Sequence, residues 1–440
     1  MKGLLLLLLV WLFLGMISCE SVEKSKETVQ PVAKTDTCKS DSKNAYEVFV
    51  PEKKSLQEKL PLLIIIDAHG NGAFAIEKFK ESARQYPVVL VASNLVKNGF
   101  VKYEHAIETL INDVRQKYLV NETVYMTGFS GGARMALGYA QKHKLNGLII
   151  CGALAGSDQV SATRCPVFAI SGMDDFNFME TAQYLFQEQS IPENLKIELT
   201  KSSHNWPDSM ILANSLGFLY LSDKDANSTP VKKSQTTEYC QSQIARIETL
   251  EKRADLLKAA TVARNMLTTA PFNSDNTFSL KYSDLIAGPE YTNQLKQLKD
   301  CINFELKCRQ PYIEAFTTKD SLWWKNEIRV LNDKIETEKD SFKTDMFQRI
   351  KGFLGIACYS LGNQVVKEKN AEMLNKIVFV YHTLEPENPY VLYFSAFPNF
   401  WKGNNEATIS ILQKSIQAGF SDNAQIKIDF PESITSKLIF

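Results

Sequence analysis

No charge of one sign predominates in this chain. Lys and Arg total 50, and Asp and Glu total 50, over 440 residues. A surface without net charge lacks the basic field that nucleic acid requires and the bias that would steer an acidic partner, so no nucleic-acid partner is expected. After the first 19 residues no apolar run approaches the length that spans a bilayer. Eight cysteines are present but none forms a Cys-x-x-Cys pair. The spacing of structural zinc and of thioredoxin-like redox sites is therefore missing, and neither kind of site is expected. Cys301 and Cys308 are candidates for a disulfide, though spacing alone sets no connectivity. Histidine is scarce, at five, so any imidazole chemistry has few sources. The remaining composition is that of ordinary globular protein, and the length suits two or three domains.

The N-terminus differs from the rest. Lys2 is followed by an apolar run over 4–14, then Gly15, Met16, Ile17, Ser18 and Cys19. A charged start, a short apolar stretch and small residues at its end read as a signal peptide over 1–19. Cys19 after Ser18 resembles the lipobox of bacterial lipoproteins, with Met16 in place of the usual leucine. That resemblance implies acylation of the Cys19 thiol and a protein held in the bacterial cell envelope by acyl chains on a membrane face.

Residues 20–44 are rich in Lys, Glu, Ser and Thr and read as a disordered tether. Over 45–222 strand and helix patterns alternate. Strands are expected at 46–50, 62–66, 88–92, 147–151, 167–171 and 196–200, and helices at 75–85, 103–118, 178–189 and 208–220. The five consecutive apolar residues at 62–66 suit a strand buried on both faces. The fold class is therefore α/β, a mostly parallel sheet with helices on both faces. Polar residues over 223–239 suggest a linker, and 240–440 reads as an all-α domain. Its last part resembles tetratricopeptide repeats through Gly355, Ala357, Tyr359, Gly362, Pro389 and the Gly403-Asn404 junction, with Pro398 departing from that pattern. Such a domain would dock a protein partner rather than hold a reaction centre.

The densest chemistry lies at 123–136, TVYMTGFSGGARMA. A β-branched and aromatic run meets Gly128-x-Ser130-x-Gly132, and a helix-forming run follows. That order is a nucleophile elbow, in which a strained turn lifts the serine hydroxyl to the top of a sheet beside a helix N-terminus. Ser130 is the expected nucleophile. A serine needs a base and an acid to orient it, and after an elbow these follow downstream in the order acid, histidine. His69 and His105 precede the elbow, His143 ends the helix leaving it, and His382 lies in the helical domain. His204 remains, in a loop directly after a strand, at the edge where open α/β sheets bind ligands. The acid should follow strand 167–171, where Asp174 and Asp175 are adjacent. An oxyanion needs two backbone amides: one from Gly131, the other from the loop HGNG, with Asn71 preferred to Gly70. His69 is expected to hold that loop, and Trp206 to line the pocket or lie in the core beneath it.

HGNG, GFSGGARM, GMDDFN and SHNWP, in this order and spacing, resemble an α/β-hydrolase esterase. The similarity is to the dienelactone hydrolase, polyhydroxybutyrate depolymerase and feruloyl esterase relatives, over about residues 45–220. It implies a serine hydrolase that cleaves carboxylic esters through an acyl-enzyme without a cofactor, on a small-molecule, carbohydrate-linked or polymer ester. The G-x-x-D pattern common at this loop in hydrolases selects Asp175 over Asp174, which would then cap the next helix. The dienelactone hydrolases use a cysteine nucleophile, so their reaction is not implied. No lid insertion is evident, which suggests an open site. A serine peptidase of the prolyl-peptidase type shares the triad order but usually carries a propeller domain that is missing here. A non-catalytic envelope scaffold is the remaining alternative.

Overall fold

The computed structural model describes residues 33–52, 57–222, 229–272 and 276–440. The expected signal peptide and Cys19 lie outside the described residues. Everything described belongs to one compact unit, Pro31–Phe440.

Eight strands form one sheet: β1 (Lys34–Cys38), β2 (Asp41–Phe49), β3 (Leu60–Ile66), β4 (Val89–Ser93), β5 (Val120–Phe129), β6 (Gly147–Cys151), β7 (Val167–Gly172) and β8 (Leu195–Thr200). Their order is β1-β2-β4-β3-β5-β6-β7-β8. Only β2 runs against the others. This is the sheet of an α/β-hydrolase fold. Its central strands are apolar throughout because both faces are covered. Along β3, Leu62, Ile64 and Ile66 face one core while Leu63 and Ile65 face the other, the period of two that a pleat imposes. Helices α2 (Tyr103–Lys117), α3 (Gly131–Lys142) and α5 (Met179–Phe186) cover the first face; α4 (Ser157–Ser161) is a single turn near them. Helices α1 (Gly72–Gln85) and α6 (Ser209–Ser222) cover the second.

Two segments depart from the sequence reading. The expected tether ends earlier, since β1 and the start of β2 occupy 34–44. Alternating polar residues conceal an edge strand, because strand pairing runs through the backbone and only Cys38 of β1 reaches the core. The expected linker 223–239 gives way at Thr229, whose hydroxyl caps α7 (Pro230–Lys252), with Pro230 at its first position.

The helical region continues with α8 (Leu256–Leu267), α9 (Thr277–Ala287), α10 (Pro289–Thr318), α11 (Ser321–Thr337), α12 (Ser341–Glu368), α13 (Ala371–Leu384), α14 (Pro389–Trp401), α15 (Asn405–Gln417), α16 (Asn423–Asp429) and α17 (Glu432–Thr435). It is welded to the sheet. Ile247, Val262, Met266 and Phe278 join the α1/α6 core, and Leu298 and Ile302 join the opposite one. A third core, around Trp324, Leu354, Phe394 and Leu412, belongs to the helices alone. At the β8 edge the buried Asn265 carboxamide acts as a missing strand: it accepts from Ile197 N (2.9 Å) and donates to Ile197 O (2.8 Å). Arg246 pairs with the buried Glu198 beside it (2.9 Å). An edge that would otherwise template aggregation is closed by helices.

Candidate active site

β5 carries the chain to Phe129, and Ser130 then adopts φ 54°, ψ −118° before α3 begins at Gly131. A non-glycine residue at positive φ is a strained position that the surroundings must hold. Here they do: a Cβ at Gly128 would lie 2.4 Å from Gly132 backbone, and one at Gly132 would lie 2.1 Å from Ile66 O. Only glycine allows this approach. The Ser130 amide donates to Cys151 O (2.8 Å), fixing the turn to β6.

Three loops at the strand tops bring the expected groups together. Ser130 Oγ lies 2.8 Å from His204 Nε2. His204 Nδ1 lies 2.9 Å from both carboxylate oxygens of Asp175. Asp175 is buried, and its Oδ1 also accepts from the Asn177 amide (2.8 Å). The His204 ring is flanked by Phe176 (4.3 Å between centroids) and Phe129 (4.8 Å).

Of the two adjacent aspartates, Asp175 is the one at the imidazole. Asp174 points into the cavity instead, half-buried, and burial raises its carboxyl above the usual carboxylate range. It does not cap α5, whose N-cap residue is Phe178 and which has no side-chain cap.

The loop after β3 differs from the reading of HGNG. Its organiser is Asp67, buried at 4% exposure, which accepts from the His69 amide (2.9 Å), the Asn71 amide (3.2 Å) and Trp206 Nε1 (2.9 Å). The Asn71 amide is therefore already bound, and its side chain caps α1 through Phe74 N (3.1 Å). Asn71 is thus not brought forward as a free oxyanion donor. His69 leaves most of its side chain exposed, with Nδ1 3.9 Å from Asp67 Oδ1. Two amides have no acceptor among the described residues: Gly131, first in α3, and the buried Ala68, which lines the same cavity. Trp206 is both core and wall, edge-on to Phe79 (5.9 Å) while bordering the cavity.

The cavity measures about 740 Å³. Its floor is Ser130, His204 and Trp206. Its far wall is helical, from Gln348, Lys351 and Tyr359 of α12 to Tyr381 of α13 and Tyr390 of α14. Nothing local in the sequence signals this wall, because it forms only when distant helices fold over the sheet. Cys301 and Cys308 both lie on α10 and form no disulfide with each other.

No family model and no curated protein matches the chain. Among solved structures it is similar to a poly(3-hydroxybutyrate) depolymerase, LpqC, from Bordetella parapertussis, with 10% identity and TM-score 0.32 over 42% of this chain and 86% of that one. It is also similar to Est1E from Butyrivibrio proteoclasticus, with 16% identity and TM-score 0.33 over 42% and 95%. An S-formylglutathione hydrolase from Agrobacterium tumefaciens gives 13%, 0.35, 43% and 95%. The fold assignment follows from strand order and elbow geometry rather than from these likenesses.

Proposed function

We propose that this protein is a serine hydrolase of carboxylic esters, acting through an acyl-enzyme. The observation that carries the reading is the unbroken chain of contacts from Ser130 Oγ to His204 (2.8 Å) to Asp175 (2.9 Å) on a strained elbow. His204 takes the hydroxyl proton as Ser130 attacks the ester carbonyl, and Asp175 orients the ring and stabilises the imidazolium. The Gly131 and Ala68 amides receive the oxyanion, with Gly131 at the positive end of the α3 dipole. His204 then protonates the departing alcohol, and water repeats the sequence on the acyl-enzyme. The chemistry calls for neither metal nor organic cofactor.

The tyrosines and carboxamides of the helical wall favour a polar, ring-bearing alcohol over a simple alkyl one, as in a carbohydrate- or polymer-linked ester. With Cys19 acylated, the enzyme would work at a membrane of the cell envelope. The tetratricopeptide-like pattern at 355–404 remains a basis for docking a protein partner as well.

A fluorophosphonate probe and an ester panel test the reading. Labelling at Ser130 with turnover of p-nitrophenyl acetate is expected. Cleavage of peptide anilides without esterase activity would point to a peptidase, and no labelling of folded protein would reject the nucleophile.

A further inference from the structure

Three charged side chains outside the catalytic group, two of them fully buried and one partly so, pack against the loop that carries Asp175. Glu305 of α10 and Arg349 of α12 are both fully buried, and Arg349 Nε donates to Glu305 Oε2 (2.7 Å). Arg309, one turn along α10, donates to Glu305 Oε1 (2.6 Å). Each arginine has a second acceptor on the acid loop. Arg349 Nη1 donates to Met173 O, and Arg309 Nη2 donates to Phe176 O at 2.7 Å. The two carbonyls bracket Asp174 and Asp175. The Arg349 guanidinium also lies over the Phe178 ring (5.4 Å). Beneath Phe176, α12 presents Gly352, where a Cβ would come within 3.3 Å of the phenyl ring, and that ring packs on His204.

We propose that Glu305, Arg309 and Arg349 form a clamp through which the helical region positions the acid loop, holding Asp175 and the Phe176 ring against His204. The proposal rests on the hydrolase reading above. Burying the Glu305 and Arg349 charges is a poor route to stability, since apolar side chains of similar volume pack with no desolvation cost. What the charges supply is direction. Charge-assisted bonds fix two backbone carbonyls to within the tolerance that proton transfer demands. The loop between β7 and α5 would otherwise be free to carry Asp175 away from the imidazole. The helices are thus part of the catalytic apparatus in two ways: α12–α14 wall the cavity, and α10 with α12 set the acid. These three side chains are positioning residues, since none touches the reacting atoms.

The test compares Arg309→Gln and Arg349→Lys with the full-length wild-type protein. Three readouts are taken: kcat and KM for p-nitrophenyl acetate, the fluorophosphonate labelling rate at Ser130, and the unfolding midpoint. The expected result is kcat lower by about 10- to 100-fold with KM within about twofold, and a labelling rate lower in proportion, since misplacement by about an ångström costs that much. Arg309 is partly exposed, with 22% of its side chain accessible, so its variant folds even if Arg349→Lys does not. Wild-type kcat and labelling in folded Arg309→Gln would overturn the clamp while leaving the hydrolase intact. Absence of labelling in the wild type would overturn both.

Discussion

The sheet region and the helical region reach the same cavity by different means. In the sheet region each reactive group sits where a short local pattern puts it: an elbow for Ser130, a strand-end loop for Asp175, another for His204. In the helical region the groups that matter share no pattern. Arg349 meets Met173 across 176 residues of chain, and Arg309 meets Phe176 across 133. The difference separates reactivity from arrangement. Reactive atoms need strained or exposed backbone, which leaves a mark in local sequence, whereas their arrangement is set by buried contacts that any helix of suitable shape can supply.

The comparison is broken most directly from the sheet side. Ser130→Ala should reduce kcat roughly 10⁴- to 10⁶-fold and abolish fluorophosphonate labelling, with the unfolding midpoint little changed. If half the activity survives, the reacting group lies elsewhere. The next effect in size separates neighbours. Asp175→Asn should lose about 10³- to 10⁴-fold in kcat, because an amide cannot hold the ring in the right tautomer. Asp174→Asn, one residue away, should stay within about threefold, and equal losses at the two positions would show that the loop shifts between them. Steady-state kinetics on a single ester settles both.

A smaller effect tests the weld. Asn265→Ala leaves the buried Ile197 amide and carbonyl without partners, which should cost about 2–4 kcal/mol in urea denaturation. Activity below the transition should persist. Unchanged stability would mean that water replaces the carboxamide and that the β8 edge is not closed by α8.

Most of the Ser130, His204 and Asp175 arrangement is legible in the sequence, for a physical reason. An elbow restricts its neighbours to glycine, and the scarcity of histidine leaves one candidate base, so the sequence carries the constraint openly. Strand position narrows the acid to two adjacent residues, the resemblance prefers Asp175, and Asp175 is the one found at the His204 ring. Asn71 shows the opposite case. Its amide lies in the expected loop, yet the carboxylate of Asp67 four residues earlier captures it, and no pattern distinguishes a captured amide from a free one. The one visible sign was a carboxylate at the end of an otherwise apolar strand, which burial obliges to find donors. Strand β1 was concealed because an edge strand buries little, and polar side chains do not oppose backbone pairing. The helical wall and the clamp were concealed because the contacts that join them to the sheet region are long-range.

The smallest expected effect lies where the two regions face each other. Asp345 of α12 is buried at 5% exposure, with Asp174 of the acid loop and the cations Lys201, Arg349 and Lys258 around it. Burial raises its carboxyl above the usual carboxylate range, and Asp174 raises it further against the opposing pull of the cations. The folded state therefore binds its proton more tightly than the unfolded chain does. Between the two values the native protein holds more protons, so stability falls as pH rises through that window, and the full penalty is present above it. Asp345→Asn removes the charge and keeps the shape. At pH 7 the variant should be more stable by about 1 kcal/mol, with a gain that shrinks as pH falls into the carboxylate range. Thermal unfolding of wild type and variant from pH 4 to pH 8 measures this. A gain that grew toward low pH would reverse the sign, and would mean that the surrounding cations, rather than burial, govern this carboxyl.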